Sequence, residues 1–144
     1  MTTPKDVVAA ARALIGTPYH HLGRLPGVGI DCAGVLIVIA RDLGLVDAGW
    51  NPDPYSMRPD GESLQALCDQ MMQRAGAISE GCAILIAWLD GPPQHLGIVT
   101  LLPDGAHGLV HADGRRAMKV VEQRLVLSRA MRLVQAYRLP GAIS

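Results

Sequence analysis

Several things are missing from this chain, and each absence excludes something. There is no net charge, because thirteen Lys and Arg balance thirteen Asp and Glu, so no chain-wide field draws it to nucleic acid or to an anionic membrane surface. No apolar run reaches the ~18 residues that a membrane-crossing helix needs, and the chain reads as soluble. The three cysteines, Cys32, Cys68 and Cys82, are odd in number and widely spaced. That argues against a disulfide framework and supplies no C-x-x-C pair for zinc, so they read as free thiols. The opening lacks the basic stretch followed by an apolar one that marks a secretory signal, which places the newly made protein in the cytoplasm. Internal repeats and low-complexity segments are also absent. What is present, 144 residues of which 49% are hydrophobic and 18% charged, fits a single domain over 1–144, since a chain of this size buries about two thirds of its unfolded surface.

Local signals divide the chain into helices first and strands afterwards. Thr3 is placed to cap a helix, with Pro4 at its first position and Asp6 three residues after the cap. Val7, Ala10, Ala11, Leu14 and Ile15 then form an apolar stripe over 4–15. Gly16 and Pro18 end that helix, and 17–30, rich in glycine, proline and histidine, reads as a loop. The segment 31–44 is ambiguous, because its β-branched middle would also suit a buried strand. Asp31 as cap, Gly44 as terminator and the length of the segment favour a helix buried nearly all round. A loop over 49–61 and a third helix from 63 to about 76 follow. Short β-prone runs at 82–89, 95–102, 108–112, 117–121 and 134–139, separated by Gly, Pro and Asp, read as an antiparallel meander. The fold class is α+β, with N-terminal helices packed on a C-terminal sheet.

A cysteine is a nucleophile only as its thiolate, and a helix N-terminus favours the anion. Cys32, at the junction of the glycine-rich loop and the second helix, has that placement, whereas Cys68 and Cys82 lie within apolar stripes and read as packing residues. The base must come from His20, His21, His95, His107 or His111. A hairpin turning at 102–105 puts His95 opposite or diagonal to His111, and His107 opposite roughly position 100, about 16 Å from His95. His95 and His111 are then either a base and the group that fixes its tautomer, or a polar strand end facing water.

Four blocks in order, Gly16-Thr17-Pro18-Tyr19, Asp31-Cys32-Ala33-Gly34, His95-Leu96-Gly97-Ile98-Val99 and Val110-His111-Ala112, resemble the NlpC family of papain-like cell-wall peptidases. The resemblance covers nearly the whole chain. It implies a papain-like fold, no metal or cofactor, Cys32 as nucleophile, His95 as general base and His111 as the polar residue orienting it. Tyr19 is implied as a hydroxyl beside the backbone N–H of Cys32 that helps hold an oxyanion. Asp31 and Ala33, which flank the nucleophile, and His20 and His21, which follow the tyrosine, complete the candidate binding residues. Ala33 stands where family members usually carry serine, and His20-His21-Leu22-Gly23 where many carry an aromatic residue and paired glycines, so this histidine pair either lines the site or is a solvated loop. The interval from His95 to His111 is longer than usual, with the additional residues at the hairpin tip, where they cost little. Arg115 and Arg116 either meet a substrate carboxylate or are simply solvated.

Family members typically cut peptidoglycan stem peptides, often between D-glutamate and a diamino acid. The expected partner is therefore a peptidoglycan peptide, reached from the cytoplasm by carriage in a phage tail or gene-transfer particle, with no nucleic acid or membrane involved. Two other classes stay open: a non-catalytic structural tail component, and a cytoplasmic amidase or acyltransferase acting on another small amide.

Overall fold

The computed structural model describes residues 2–51 and 62–140. Helix α1, Pro4–Arg12, opens with a complete capping box: the Thr3 hydroxyl accepts from the Asp6 N–H at 3.2 Å and the Asp6 carboxylate from the Thr3 N–H at 2.9 Å. It ends three residues short of the expected 15, the chain continuing in turns to Gly16 at φ 93°. Helix α2, Cys32–Asp42, resolves the helix-or-strand ambiguity at its cap, where the Asp31 carboxylate accepts from the Gly34 N–H at 2.8 Å. Every residue from Ala33 to Ala40 is buried, and each large aliphatic side chain so enclosed contributes about 1.5–3 kcal/mol.

The loop over 17–30 is more ordered than its composition suggests. It contains a small antiparallel pair, β1 (Arg24–Leu25) and β2 (Gly29–Ile30), and single bridges tie Pro18 to Lys119 and Tyr19 to Ile30. Gly34 allows this loop to lie directly on the first turn of α2, since a Cβ there would stand 2.5 Å from the Gly23 carbonyl oxygen. Most of the expected loop over 49–61 lies outside the described residues.

Helix α3, Ser63–Met71, stops about five residues before the expected end. Met72 turns extended, and β3 (Gln73–Ala75) pairs with β8 (Met131–Arg138). A partner strand some sixty residues later decides this segment, and local periodicity cannot register it. The other strands are β4 (Ala83–Trp88), β5 (Pro93–Leu101), β6 (His107–Asp113) and β7 (Lys119–Arg124). The sheet order is β3-β8-β4-β5-β6-β7, every pair antiparallel. The expected five-run meander holds for its first four runs, β4 to β7; its fifth, β8, instead returns to the far side of β4 and carries β3 on its outer edge.

Helices and sheet enclose the main core, in which Val35, Ile37 and Ile39 of the all-round buried α2 cluster with Leu85, Leu96, Ile98 and Val110. A smaller cluster containing Ile84, Ile86, Val99 and Leu109 covers the opposite face of the sheet. At Ile86 the sheet is irregular on both flanks. Ile86 pairs with His95 but Ala87 with Pro93, leaving Gln94 additional in β5, and Leu85 pairs with Gln135 but Ile86 with Leu133, leaving Val134 additional in β8. Such bulges twist a strand and re-aim its side chains, and here one falls directly before His95.

Candidate active site

Cys32 is the first residue of α2, immediately after the cap. Asp31, almost wholly buried, does more than cap: its second oxygen accepts from the Leu22 N–H at 2.8 Å, and Arg24 lies 3.1 Å from the first. One carboxylate thus fixes the helix start and the loop leading to it. Cys32 is partly exposed, whereas Cys68 and Cys82 are buried, and all three are free.

Cys32, His95, His111 and Tyr19 line one cavity of about 520 Å³, between the N-terminus of α2 and the ends of β4, β5 and β6. The hairpin register that brings the histidines together is the expected one: Leu101 pairs with His107 and Ile98 with Val110. Continued by one residue, it sets His111 opposite Gly97, diagonal to His95. His107 sits at the far end of the hairpin and does not line the cavity.

The two imidazoles are joined edge to face, with His95 Nε2 2.7 Å from His111 Nδ1. His111 Nε2 lies 3.0 Å from Gln123 Oε1. An amide oxygen can only accept, so His111 Nε2 carries a proton and donates it to Gln123. In the neutral ring His111 Nδ1 is then the acceptor, and His95 Nε2–H donates to it. The lone pair of His95 is therefore on Nδ1. Gln123 was not among the sequence candidates. The available signal was register: two residues beyond Val121, the partner of His111, it occupies the diagonal position on β7.

Burial dominates the electrostatics. It pushes the Cys32 thiol up to about 12, with the Asp31 charge acting in the same direction, against backbone N–H groups of Leu96, Ala33 and Cys32 that favour the anion. The expectation that the helix N-terminus sets a low thiol pKa is corrected here: the dipole and its N–H groups contribute, and desolvation outweighs them. Burial likewise pushes His95 down to about 3, with His111 and Arg115 adding to the fall and the Asp113 carboxylate opposing it. At neutral pH the pair is a thiol and a neutral imidazole. Burial raises the Tyr19 hydroxyl to about 12, aided by Cys32 and Asp31, which keeps it a proton donor.

The remaining candidates lie elsewhere. Ala33 is fully buried in the main core, and Asp31 is enclosed by the contacts above. His20 is exposed, with Nδ1 2.9 Å from the His21 carbonyl oxygen, and His21 is half-buried, 3.8 Å from Asp31. None of the four lines the cavity. Trp88, Asp113, Arg115 and Arg116 do line it. Among the described residues no group of three or more His, Cys, Asp or Glu side chains is arranged to hold a metal ion.

No family model matches the sequence, and no curated protein matches it. Solved structures do. The NlpC/p60 domain of the peptidoglycan hydrolase SagA is 20% identical with a TM-score of 0.59, over 94% of this chain and 98% of that one. An N-acetylmuramoyl-L-alanine amidase from Bacteroides uniformis is 14% identical with a TM-score of 0.61, over 95% of this chain and 98% of that one. With three helices on a six-stranded antiparallel sheet among the described residues, and a match to SagA's domain over 94% of this chain, the chain has the papain-like fold of NlpC/p60 domains.

Proposed function

We propose that this protein is a cysteine peptidase of peptidoglycan stem peptides, cutting the bond between D-glutamate and a diamino acid through a thioester intermediate. The observation that carries the reading is the relay from His95 through His111 to Gln123, which leaves a lone pair on His95 in the cavity that also contains the Cys32 thiol. As Cys32 Sγ attacks the carbonyl carbon, its proton passes to His95 Nδ1. The backbone N–H of Cys32 and the Tyr19 hydroxyl hold the oxyanion. His95 then returns the proton to the departing amine. In the second half His95 takes a proton from water, the hydroxide attacks the thioester carbonyl, and the thiol leaves reprotonated. His111, accepting from His95 Nε2–H, fixes the orientation and tautomer of His95 through both halves.

The names of the two structural neighbours support a peptidoglycan amide as substrate, and one of them favours a second reading for the bond, the link between the muramoyl lactyl group and L-alanine. Incubation with purified muropeptides and mass spectrometry of the products separates the two. A peptide beginning with the diamino acid supports the proposal, an intact stem released from the sugar supports the second reading, and unchanged muropeptides refute both. Carriage to the wall in a phage tail or gene-transfer particle completes the proposal, by analogy with the particle-borne branch of the family that the sequence resembles.

A further inference from the structure

One wall of the cavity is built from residues that the proposed hydrolysis does not use. Trp88, half-buried at the end of β4, has its ring 5.6 Å from that of His95 and inclined by 32°. The guanidinium carbon of Arg115 lies 4.7 Å over the same indole, an arrangement in which the aromatic face orients the cation while leaving its N–H groups free to meet a ligand. The turn carrying Arg115 is fixed as well. The Asp113 carboxylate accepts from the backbone N–H groups of Arg115, Arg116 and Ala117 at 2.9 to 3.1 Å. Gly114 packs so closely on Tyr19 that a Cβ would stand 2.7 Å from the ring. Among the described residues no carboxylate forms an ion pair with Arg115.

This placement opposes the chemistry of the empty site. The Arg115 charge disfavours the His95 imidazolium that must form when the thiol gives up its proton, in opposition to the Asp113 carboxylate, which favours it. A substrate that brings a negative charge to Arg115 removes that penalty, so the wall is matched to an anionic ligand. Its side of the cleft is also defined. His95 must hand its proton to the departing amine, so groups packed against the His95 ring border the residue that leaves.

We infer that Trp88 and Arg115 form a subsite for a free carboxylate on the residue whose amine departs. This rests on the peptidase reading given above. In a stem peptide two carboxylates qualify: the main-chain carboxylate of the diamino acid when that residue is last, and its side-chain carboxylate when it is diaminopimelate. The second lies about 7 Å from the departing nitrogen in an extended chain, a reach comparable to the two ring contacts that link His95 to Arg115.

Calorimetry on the full chain carrying Cys32→Ala, which binds without turnover, tests the subsite. The probes are L-Ala-γ-D-Glu joined to diaminopimelate, to lysine, and to lysine with a C-terminal carboxamide. We expect a step of at least tenfold in affinity where the recognised carboxylate is lost. A step between the first two peptides assigns the side-chain carboxylate, and a step between the last two the main-chain one. Arg115→Gln should bring all three within about threefold, and Arg115→Lys should keep part of the step. Equal binding of the three peptides, an equal loss on all three with Arg115→Gln, or no binding at all overturns the inference. Hydrolysis by the protein with Cys32 intact keeps the two readings apart. Carboxylate-dependent binding without cleavage retains the subsite and removes the peptidase; cleavage with no carboxylate preference does the reverse.

Discussion

A neutral thiol beside a neutral imidazole has a pH signature unlike that of a preformed thiolate–imidazolium pair, and alkylation of Cys32 reads it directly. With the thiol at about 12, about one molecule in ten thousand is thiolate at pH 8, against about one in four for a free cysteine near 8.5. The more basic sulfur is the better nucleophile, by about 40-fold for a Brønsted slope near 0.45. The net expectation is iodoacetamide labelling about 50- to 100-fold slower than free cysteine at pH 8. The logarithm of the rate should climb by about one per pH unit from pH 6 to 10, without a plateau, because His95, pushed to about 3, adds no charge change in that range. Cys32 should still react before Cys68 and Cys82, which are buried. Timed labelling at several pH values, read by peptide mapping, gives all of this. A plateau below pH 7 would show that the resting pair is already ionised and that burial does not control this thiol. Faster labelling of Cys68 or Cys82 would remove Cys32 as nucleophile.

Four further outcomes follow from the same geometry. His95→Ala should abolish muropeptide hydrolysis, His111→Ala should leave residual activity, and His107→Ala should change little; Gln123→Leu should lower kcat about tenfold at unchanged KM, and equal losses at 107 and 111 would contradict the relay. Asp31→Ala removes a helix cap and the partner of the Leu22 N–H together, so urea denaturation should report a loss of about 2–4 kcal/mol, and a loss near zero would mean that the loop is held by other contacts. The His95 imidazole is held below its ordinary 6.5, so the unfolded chain binds this proton first: stability present above about pH 6.5 should decline as pH falls toward 3, and His95→Gln should flatten that decline in thermal melts. Directed to a bacterial periplasm by an added signal sequence, the protein should be toxic and its Cys32→Ala variant harmless; equal toxicity of the two, or a folded but harmless parent, counts against wall cleavage.

The features legible in the sequence were those written in short stretches. The Thr3 and Asp31 caps, the glycine after α2 and the 102–105 turn fix two helix starts, a helix end and the register of β5 on β6, and those suffice to bring Cys32, His95 and His111 to one cavity. What was not legible depends on residues far apart in the chain. Gln73–Ala75 become a strand because β8 is there to pair with, and β8 lies beside β4 because a core closes around both. Gln123 and Trp88 join the site only through that assembly. The raised thiol pKa is illegible in the sequence for a related reason: a helix start can be read from Asp31, but the burial that outweighs it is a property of the assembled cavity.

The paired irregularities at Ile86 separate the sheet into two blocks with independent phase. On one side Ile84 and Leu85 keep the inner register with both neighbours, and Ile86 keeps it with His95 of β5; on the other, Ala87, Trp88, Pro93 and Met131 pair in a register of their own. A slip or substitution in the outer block need not propagate through the additional residues Gln94 and Val134 to the inner one. The wall that faces a ligand can therefore drift over evolutionary time while the imidazole stays where it is, so that altered substrate choice need not come at the expense of the proton-transfer geometry.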